Sequence, residues 1–266
     1  MKITILTYCT GYPYEVFERF VGSAYDTGFN GHIIMVVQPC DLPIMKRIKT
    51  VYPKVMVIVD ESIIQSHLNC HRFFTFENIL KQQAFDSTHV FLCDSRDVLF
   101  QKNIEDYPFD NTKDLYVFQE GVLFKDEPKF NIPWIKMLES IMKEYYYDVI
   151  QDKPVICCGT TLGTIETMKQ YVTTMCTILR TYNIRYNLDQ GIHNLMVYHN
   201  FLNCSIQSLS NTDNVVNTVA CDEHLLNDQD QIVNKHGTVS YIVHQYDRFA
   251  PELKKRISKK YNFMIH

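Results

Sequence analysis

The alternation of short apolar segments with helical segments constrains this fold more than any other feature of the sequence. Four apolar segments, most of them rich in β-branched residues, predict strands at 3–7, 32–38, 54–59 and 88–93. Between them, residues 14–25 and 73–85 predict helices. Strands that alternate with helices imply crossover connections, which build a sheet of mainly parallel strands.

The second half of the chain is less regular but continues the same class. It predicts strands at 114–119, 204–209 and 238–243, helices at 133–143 and 188–198, and a strand, a loop and a helix within 155–180. We therefore expect one α/β domain over residues 1–266, with a mixed, mainly parallel central sheet and helices on both faces. Ligands of such sheets bind beyond the carboxyl ends of the strands, so the residues that follow the strands are the first candidates for a site.

The end of the fourth predicted strand is the most informative of these positions. It leads directly into Asp94-Ser95-Arg96-Asp97, with two carboxylates three residues apart and an arginine between them. Two acids this close repel each other unless a cation or a hydrogen-bond donor lies between them. A Mg²⁺ or Mn²⁺ ion that bridges a nucleoside diphosphate would relieve that repulsion. The alternative is structural, with Asp94 as a turn cap and Asp97 paired with Arg96.

A second candidate is His244, which follows the last predicted strand and precedes Gln245-Tyr246-Asp247-Arg248. A neutral imidazole there would complete a metal site with two carboxylates from elsewhere in the chain. Asp247 and Arg248 would then orient it or contact phosphate. A purely structural histidine is the alternative.

Two further segments are candidates for a site. Asp189 begins the helix predicted at 188–198, where it is either an N-cap or a carboxylate that contacts a sugar hydroxyl as binder or base. Residues 156–164 are rich in small side chains and predict a loop whose backbone approaches a ligand closely. The sequence contains no P-loop and no dinucleotide-binding glycine motif.

Composition limits the partners and the compartment. The net charge is −4 and no basic stripe is dense enough to follow a phosphate backbone, which excludes nucleic acid as an expected partner. The one basic cluster, at 254–260, is interpreted as a solvated helix end. Nine cysteines without framework spacing indicate reduced thiols. With no signal peptide and no membrane-length apolar run, these thiols predict a cytoplasmic protein.

The order of these motifs resembles that of GT-A nucleotide-diphospho-sugar transferases, particularly the layout of family 8. The four corresponding pieces are Asp94-Ser95-Arg96-Asp97, Cys158-Gly159-Thr160-Thr161, Asp189-Gln190 and His244. The residues of these motifs resemble still more closely a set of bacterial, algal and large-DNA-virus glycosyltransferase-like sequences. The resemblance runs from about Ile3 to Arg248. Its acidic motif is D-x-x-D where the family has D-x-D, which leaves open which carboxylate binds metal directly.

On the donor side, the resemblance implies that Thr7 and Tyr8 line a nucleoside pocket, as the end of the first strand does in this fold. It places Arg72 near the diphosphate or the donor sugar. We also assign Arg96 and Arg248 to binding of the donor.

On the metal and acceptor side, the resemblance makes Asp97 the main metal ligand together with His244. Asp94 would reach the ribose, the donor sugar or the metal, and we carry it as a catalytic candidate. Asp189 and Gln190 would face the transferred sugar or the acceptor.

The implied activity is transfer of a sugar from a nucleoside-diphosphate sugar, with UDP-sugars favoured, to a glycan or another hydroxyl acceptor. Mn²⁺ or Mg²⁺ would assist, residues 1–100 would bind the nucleotide, and residues 101–266 would form the acceptor side. An inverting reaction would use Asp189 as general base, whereas the family 8 resemblance implies retention, so the stereochemistry stays open. The alternatives are a GT-A-fold binding module without catalysis and a nucleotidyltransferase.

Overall fold

A computed structural model describes residues 1–82, 85–219 and 225–248. The basic cluster at 254–260 lies outside these residues. The strands, numbered in chain order, are β1 Ile3–Tyr8, β2 His32–Val37, β3 Val55–Val59, β4 His89–Cys93, β5 Val98–Phe100, β6 Leu115–Leu123, β7 Pro154–Thr164, β8 Ile206–Leu209, β9 Val216–Thr218, β10 Leu225–Leu226, β11 Ile232–Val233 and β12 Ile242–His244. The helices are α1 Tyr14–Asp26, α2 Leu42–Val51, α3 Leu68–Gln82, α4 Asn131–Met142, α5 Tyr147–Ile150, α6 Ile165–Thr181 and α7 Asp189–Tyr198.

The central sheet has seven strands in the order β3-β2-β1-β4-β7-β6-β8. Strands β3, β2, β1 and β4 pair in parallel, as do β6 and β8. Only β7 is reversed within this sheet, since it is antiparallel to both β4 and β6. The prediction of a mixed, mainly parallel sheet is therefore confirmed.

Alternate side chains of β1 enter two different cores, because successive residues of a strand point to opposite faces. Leu6 packs in one core with Phe73 of α3 and with side chains of α6. Ile5 packs in the other core with Phe17 and Phe20 of α1. Helices thus cover both faces of the sheet, as the sequence predicts.

A second, three-stranded sheet has the order β5-β12-β9 and extends the molecule beyond the carboxyl end of β4. In it, β12 is antiparallel to β5, with His244 opposite Val98, and parallel to β9. Because β5 begins one residue after Asp97, this pairing brings the last strand of the described chain back to the end of β4.

Several boundaries differ from the sequence prediction. The small-residue segment 156–164 is not a loop, since it forms most of β7, a buried strand between two neighbours. Helix α3 begins at Leu68 rather than at 73, because the amides of Cys70 and His71 already bond to the His67 carbonyl. The last predicted strand shortens to Ile242–His244, the residues that pair with both β5 and β9.

The described helices include none that combines the length and apolar character needed to cross a membrane. Every cysteine described carries a free thiol.

Candidate active site

Three side chains from separate elements converge at the carboxyl end of β4. Asp94 follows β4, Asp97 precedes β5, and His244 ends β12. The Nε2 atom of His244 lies 3.5 Å from Oδ2 of Asp94 and 3.6 Å from Oδ1 of Asp97. We call these three residues the metal-ligand cluster. Among the residues that the structure describes, no other three such groups converge in this way.

The arrangement fits a single divalent cation. One ligand atom from each residue lies within 4.8 Å of the others. Nε2 of His244 is buried, faces two carboxylates and has no hydrogen-bond partner. A buried polar atom without a partner is costly unless a ligand satisfies it. Two carboxylates and an imidazole are a donor set that Mn²⁺ and Mg²⁺ accept.

Charge within the cluster is balanced by neighbouring cations. Burial opposes ionisation of Asp94, yet the Arg72 guanidinium and His244 hold the pKa of that carboxyl well below its usual value. Burial also opposes ionisation of Asp97, whose pKa is lowered chiefly by His244. The His244 imidazole is disfavoured as a cation by burial, but Cys157 and the two aspartates raise its pKa. The pocket thus favours positive charge at its centre.

Gly159 of β7 has no side chain, and the metal-ligand cluster occupies the space beside it. The amide of Asp94 donates to the Gly159 carbonyl at 2.8 Å, so the two backbones are in direct contact. A Cβ atom on Gly159 would lie 2.5 Å from Cε1 of His244 and 2.7 Å from Oδ2 of Asp94. Since real Cβ atoms do not approach this closely, the backbone of β7 defines one wall of the cluster. The sequence predicted close approach to a ligand here, and in the structure the close neighbours are the two side chains of the cluster.

Arg72 links the cluster to the start of α7. Its guanidinium donates to Oδ1 of Asp94 and, at 3.1 Å, to Oδ2 of Asp189. Its Nε donates to the Asn69 carbonyl at 3.1 Å, which fixes the arginine against its own helix. Asp189 is the first residue of α7, and the N-cap position is Leu188 without a side-chain cap bond. The capping alternative for Asp189 is therefore wrong, and its carboxylate serves as a partner of Arg72.

Arg96 is paired on the outer side of the cluster. Its guanidinium lies 3.2 Å from Asp97 and 3.2 Å from Asp247. The structural alternative for Asp97, an ion pair with Arg96, is thus present together with its position in the cluster. Since Oδ2 faces Arg96 and Oδ1 faces His244, Asp97 can serve both.

Two cavities meet at this point. The smaller cavity, about 200 Å³, is lined by Tyr8, Thr10 and Tyr12 at the end of β1. The larger cavity, about 510 Å³, extends toward α4 and α7. Both are lined by Asn69, Arg72, Asp94, Gln245 and Arg248.

The donor-side candidates fall into two groups. Tyr8 lines the smaller cavity, and its hydroxyl donates to Asp60 at 2.9 Å. Thr7 is fully buried within β1 and is not among the residues that line the two cavities. Arg248 is exposed at the junction of the cavities, and no carboxylate pairs with it within residues 1–82, 85–219 and 225–248.

Gln190 lines the larger cavity but is also held by the backbone of β7. Its Oε1 accepts from the amide of Cys158 at 2.7 Å, and its Nε2 donates to the Ile156 carbonyl at 3.0 Å. Nε2 also lies 3.2 Å from Oε1 of Glu120. Gln190 therefore ties α7 to β7 where the pairing of β6 and β7 shifts register.

The sequence analysis missed three residues around the cluster. Glu120, in β6, is 7% exposed, and burial raises the pKa of its carboxyl. Cys157 places its sulfur 3.3 Å from Nδ1 of His244. Gln245 is buried, lines both cavities, and its Oε1 has no hydrogen-bond partner. Glu120 could have been found, because it is an acid close behind the apolar run 115–118. No local sequence pattern predicts the contacts of Cys157 and Gln245.

Solved structures share this architecture. The chain is similar to the galactosyltransferase LgtC, solved with donor and acceptor sugar analogs, with a TM-score of 0.60 at 10% identity, over 97% of this chain and 96% of that chain. The protein has the GT-A fold. It is also similar to mouse xyloside xylosyltransferase 1, with a TM-score of 0.55 at 12% identity, over 94% of this chain and 100% of that chain. The sequence matches no protein-family model and no curated protein sequence.

Proposed function

We propose that this GT-A protein is a metal-assisted glycosyltransferase that moves a sugar from a nucleoside-diphosphate sugar to a hydroxyl acceptor. The proposal rests on the metal-ligand cluster at the junction of two cavities, where Nε2 of His244 faces two carboxylates and has no hydrogen-bond partner. UDP-sugars are the favoured donors and family 8 the favoured layout, on the motif order described above.

The two cavities suggest how the substrates would divide. The smaller cavity, with two tyrosines at the end of β1, would hold the nucleoside, and the larger cavity would hold the donor sugar and the acceptor. Residues 1–100 would then supply most of the nucleotide side and residues 101–266 most of the acceptor side. The diphosphate would lie between them, where both cavities share Arg72 and Arg248.

The cluster would hold Mn²⁺ or Mg²⁺ through Asp94, Asp97 and His244. When bound, the ion would neutralise negative charge that develops on the leaving nucleoside diphosphate. Arg248 would add to that stabilisation, since no described carboxylate competes for its guanidinium.

Asp189 and Gln190 would border the transferred sugar. The bond from Arg72 holds the Asp189 carboxylate at the edge of the larger cavity, where it can accept from a sugar hydroxyl. Gln190 is held to β7, so it would position the first turn of α7 rather than move during the reaction.

The proposal is tested by calorimetric titration of UDP-sugars and GDP-sugars with Mn²⁺ and then with EDTA. We expect binding that requires metal and that Asp97→Ala weakens by at least about a hundredfold, because it removes a ligand of the ion. The matched control is Asp148→Ala, which removes an exposed carboxylate of α5.

Two outcomes would contradict the proposal. Equal binding of the donor with EDTA and with Mn²⁺ would remove the metal from the mechanism. If neither class of nucleotide sugar bound under any condition, the transferase assignment would fail and a binding module without catalysis would replace it.

A further inference from the structure

An aromatic wall borders the larger cavity on the side of α4. Phe130 directly precedes α4 and is 46% exposed, and Trp134 lies one turn later. Their rings are stacked, with centroids 5.8 Å apart and an angle of 27° between the planes. Both residues line the cavity that also contains His244 and Asp94. Phe130 is exposed and Trp134 is half-buried, so the pair offers an aromatic surface at the mouth of a polar site that a ligand can cover.

Polar groups surround this wall. Glu120 and Asn131 line the same cavity, and the Lys129 ammonium lies over the Phe130 ring, with Nζ 4.9 Å from the ring centroid. The π face of an aromatic ring carries partial negative charge. The C–H groups on one face of a pyranose carry partial positive charge, while its hydroxyls radiate toward the edge. A flat ring that is apolar on its face and polar at its rim therefore complements both the wall and its surroundings.

Packing between α4 and α7 holds the wall close to Asp189 and Gln190. A Cβ atom on Gly191 would lie 2.8 Å from Cδ1 of Leu138 and 3.4 Å from Cβ of Trp134, so α4 packs closely on the first turn of α7. That turn carries Asp189 and Gln190. A ring stacked on the wall would thus lie beside the carboxylates of the site and away from the smaller cavity, which is lined by the end of β1.

We propose that Phe130 and Trp134 form a subsite that stacks a pyranose ring, and hence that the acceptor is a carbohydrate rather than a peptide side chain. The identification of this ring as the acceptor rests on the proposed function, whereas the binding of a pyranose to the wall does not. The two can therefore be tested separately.

Trp134 makes the first test direct, because it is the only tryptophan of the chain. Methyl α- and β-pyranosides of glucose, galactose, mannose and N-acetylglucosamine are titrated, with Mn²⁺ and UDP present, while tryptophan emission is recorded. We expect at least one pyranoside to change the emission in a saturable way. Sorbitol, which has the hydroxyls of a hexose but no flat C–H face, is the matched control ligand and should leave the emission unchanged.

The second test uses variants. Phe130→Ala should lower the affinity for the pyranoside that binds best by about tenfold, which is the loss expected when one aromatic contact is removed. Calorimetric binding of UDP with Mn²⁺ should stay within twofold. Tyr145→Ala is the control, since Tyr145 is 88% exposed but is not among the residues that line the larger cavity.

The outcomes separate the two proposals. If UDP and Mn²⁺ bind but no pyranoside perturbs Trp134, or if Phe130→Ala and Tyr145→Ala behave alike, the subsite is overturned and the proposed function stands. If a pyranoside binds through Phe130 but no nucleotide sugar binds, the proposed function fails while the carbohydrate site remains.

Discussion

Two aspartate–histidine clusters lie at strand ends of the same sheet, and they differ in how completely their polar atoms are satisfied. In the first, Asp60 follows β3 and is 7% exposed. It accepts hydrogen bonds from Tyr8 at 2.9 Å, from Thr75 at 2.8 Å and from the hydroxyl of Ser62 at 2.6 Å, and His71 lies 3.2 Å away. Its charge is thus solvated by the protein itself.

The metal-ligand cluster has the same residue types, but its polar atoms are not all satisfied by hydrogen bonds from the protein. Nε2 of His244 is buried without a hydrogen-bond partner, between two carboxylates that repel each other. A buried aspartate–histidine pair stabilises a fold when neighbouring donors satisfy it. A pair with an unsatisfied buried atom is instead a candidate ligand site.

The largest expected effect is the loss of activity from Asp97→Asn. The variant keeps the shape of the side chain but removes a charged ligand, so metal-dependent transfer should fall by about a thousandfold. Transfer is measured by release of the nucleoside diphosphate, and circular dichroism checks the fold. If the variant instead lost stability and kept metal binding, the metal-ligand cluster would be structural, like the first cluster.

Next in size is the loss of stability from Asp60→Ala. The substitution leaves the donors of Tyr8, Thr75 and Ser62 without their acceptor, and we expect the free energy of unfolding to fall by about 3 kcal/mol. Urea denaturation measures the change, with the exposed neighbour Glu61→Ala as the control. Mn²⁺ binding should persist in the folded variant. A stability equal to wild type would show that the first cluster is not what holds the end of β3.

Two glycines of β7 separate an effect on the metal-ligand cluster from an effect on packing. Because the Cβ of Gly159→Ala would overlap His244 and Asp94, the apparent Mn²⁺ affinity and the rate of transfer should fall by about a hundredfold. Gly163→Ala is the matched variant in β7, where the nearest atoms are Sδ of Met168 at 2.9 Å and the Asp114 carbonyl oxygen at 3.0 Å. It should reduce stability without a comparable loss of metal affinity. Equal loss of metal affinity in both variants would mean that β7 acts through its packing alone.

The smallest expected effect is a pH dependence of the first cluster. Burial opposes ionisation of Asp60, but hydrogen bonds from Ser62, Thr75 and Tyr8 lower its pKa from 3.8 to about 2. Since the folded-state pKa lies below the unfolded one, the stabilisation is complete above 3.8 and is lost as the pH falls toward 2. The difference in unfolding free energy between wild type and Asp60→Asn should narrow over that range. A constant difference would show that folding does not shift the pKa of the Asp60 carboxyl.

The sequence predicts those parts of the site that lie at the ends of regular strands. Asp94 was found because an apolar run stops abruptly at an acid, and the rule that ligands bind at carboxyl ends of strands holds whatever the tertiary contacts are. The position of His244 depends on the pairing of β5 with β12, two strands of three residues each. Such short strands carry no readable period, so only the resemblance in motif order connected His244 to the aspartates.

Other features could not be predicted because they depend on partners that are distant in sequence. The sequence predicted a loop at 156–164, since glycine and other small residues usually signal one. In the structure, Gly159 and Gly163 lie within a strand, and a larger side chain at either position would meet His244 or Met168. Asp60 follows a strand just as Asp94 does, and only its hydrogen-bond partners distinguish the two.

The place of β12 in the second sheet has a consequence for the protein during its synthesis. Once β1 to β9 have emerged from the ribosome, every strand of the central sheet is present, so most of the fold can form early. The contacts of Asp94 and Asp97 with His244 cannot form at that stage, because His244 is synthesised about 150 residues later. Contacts between residues this far apart in sequence form late. A nascent chain can therefore be largely folded before the metal-ligand cluster is complete.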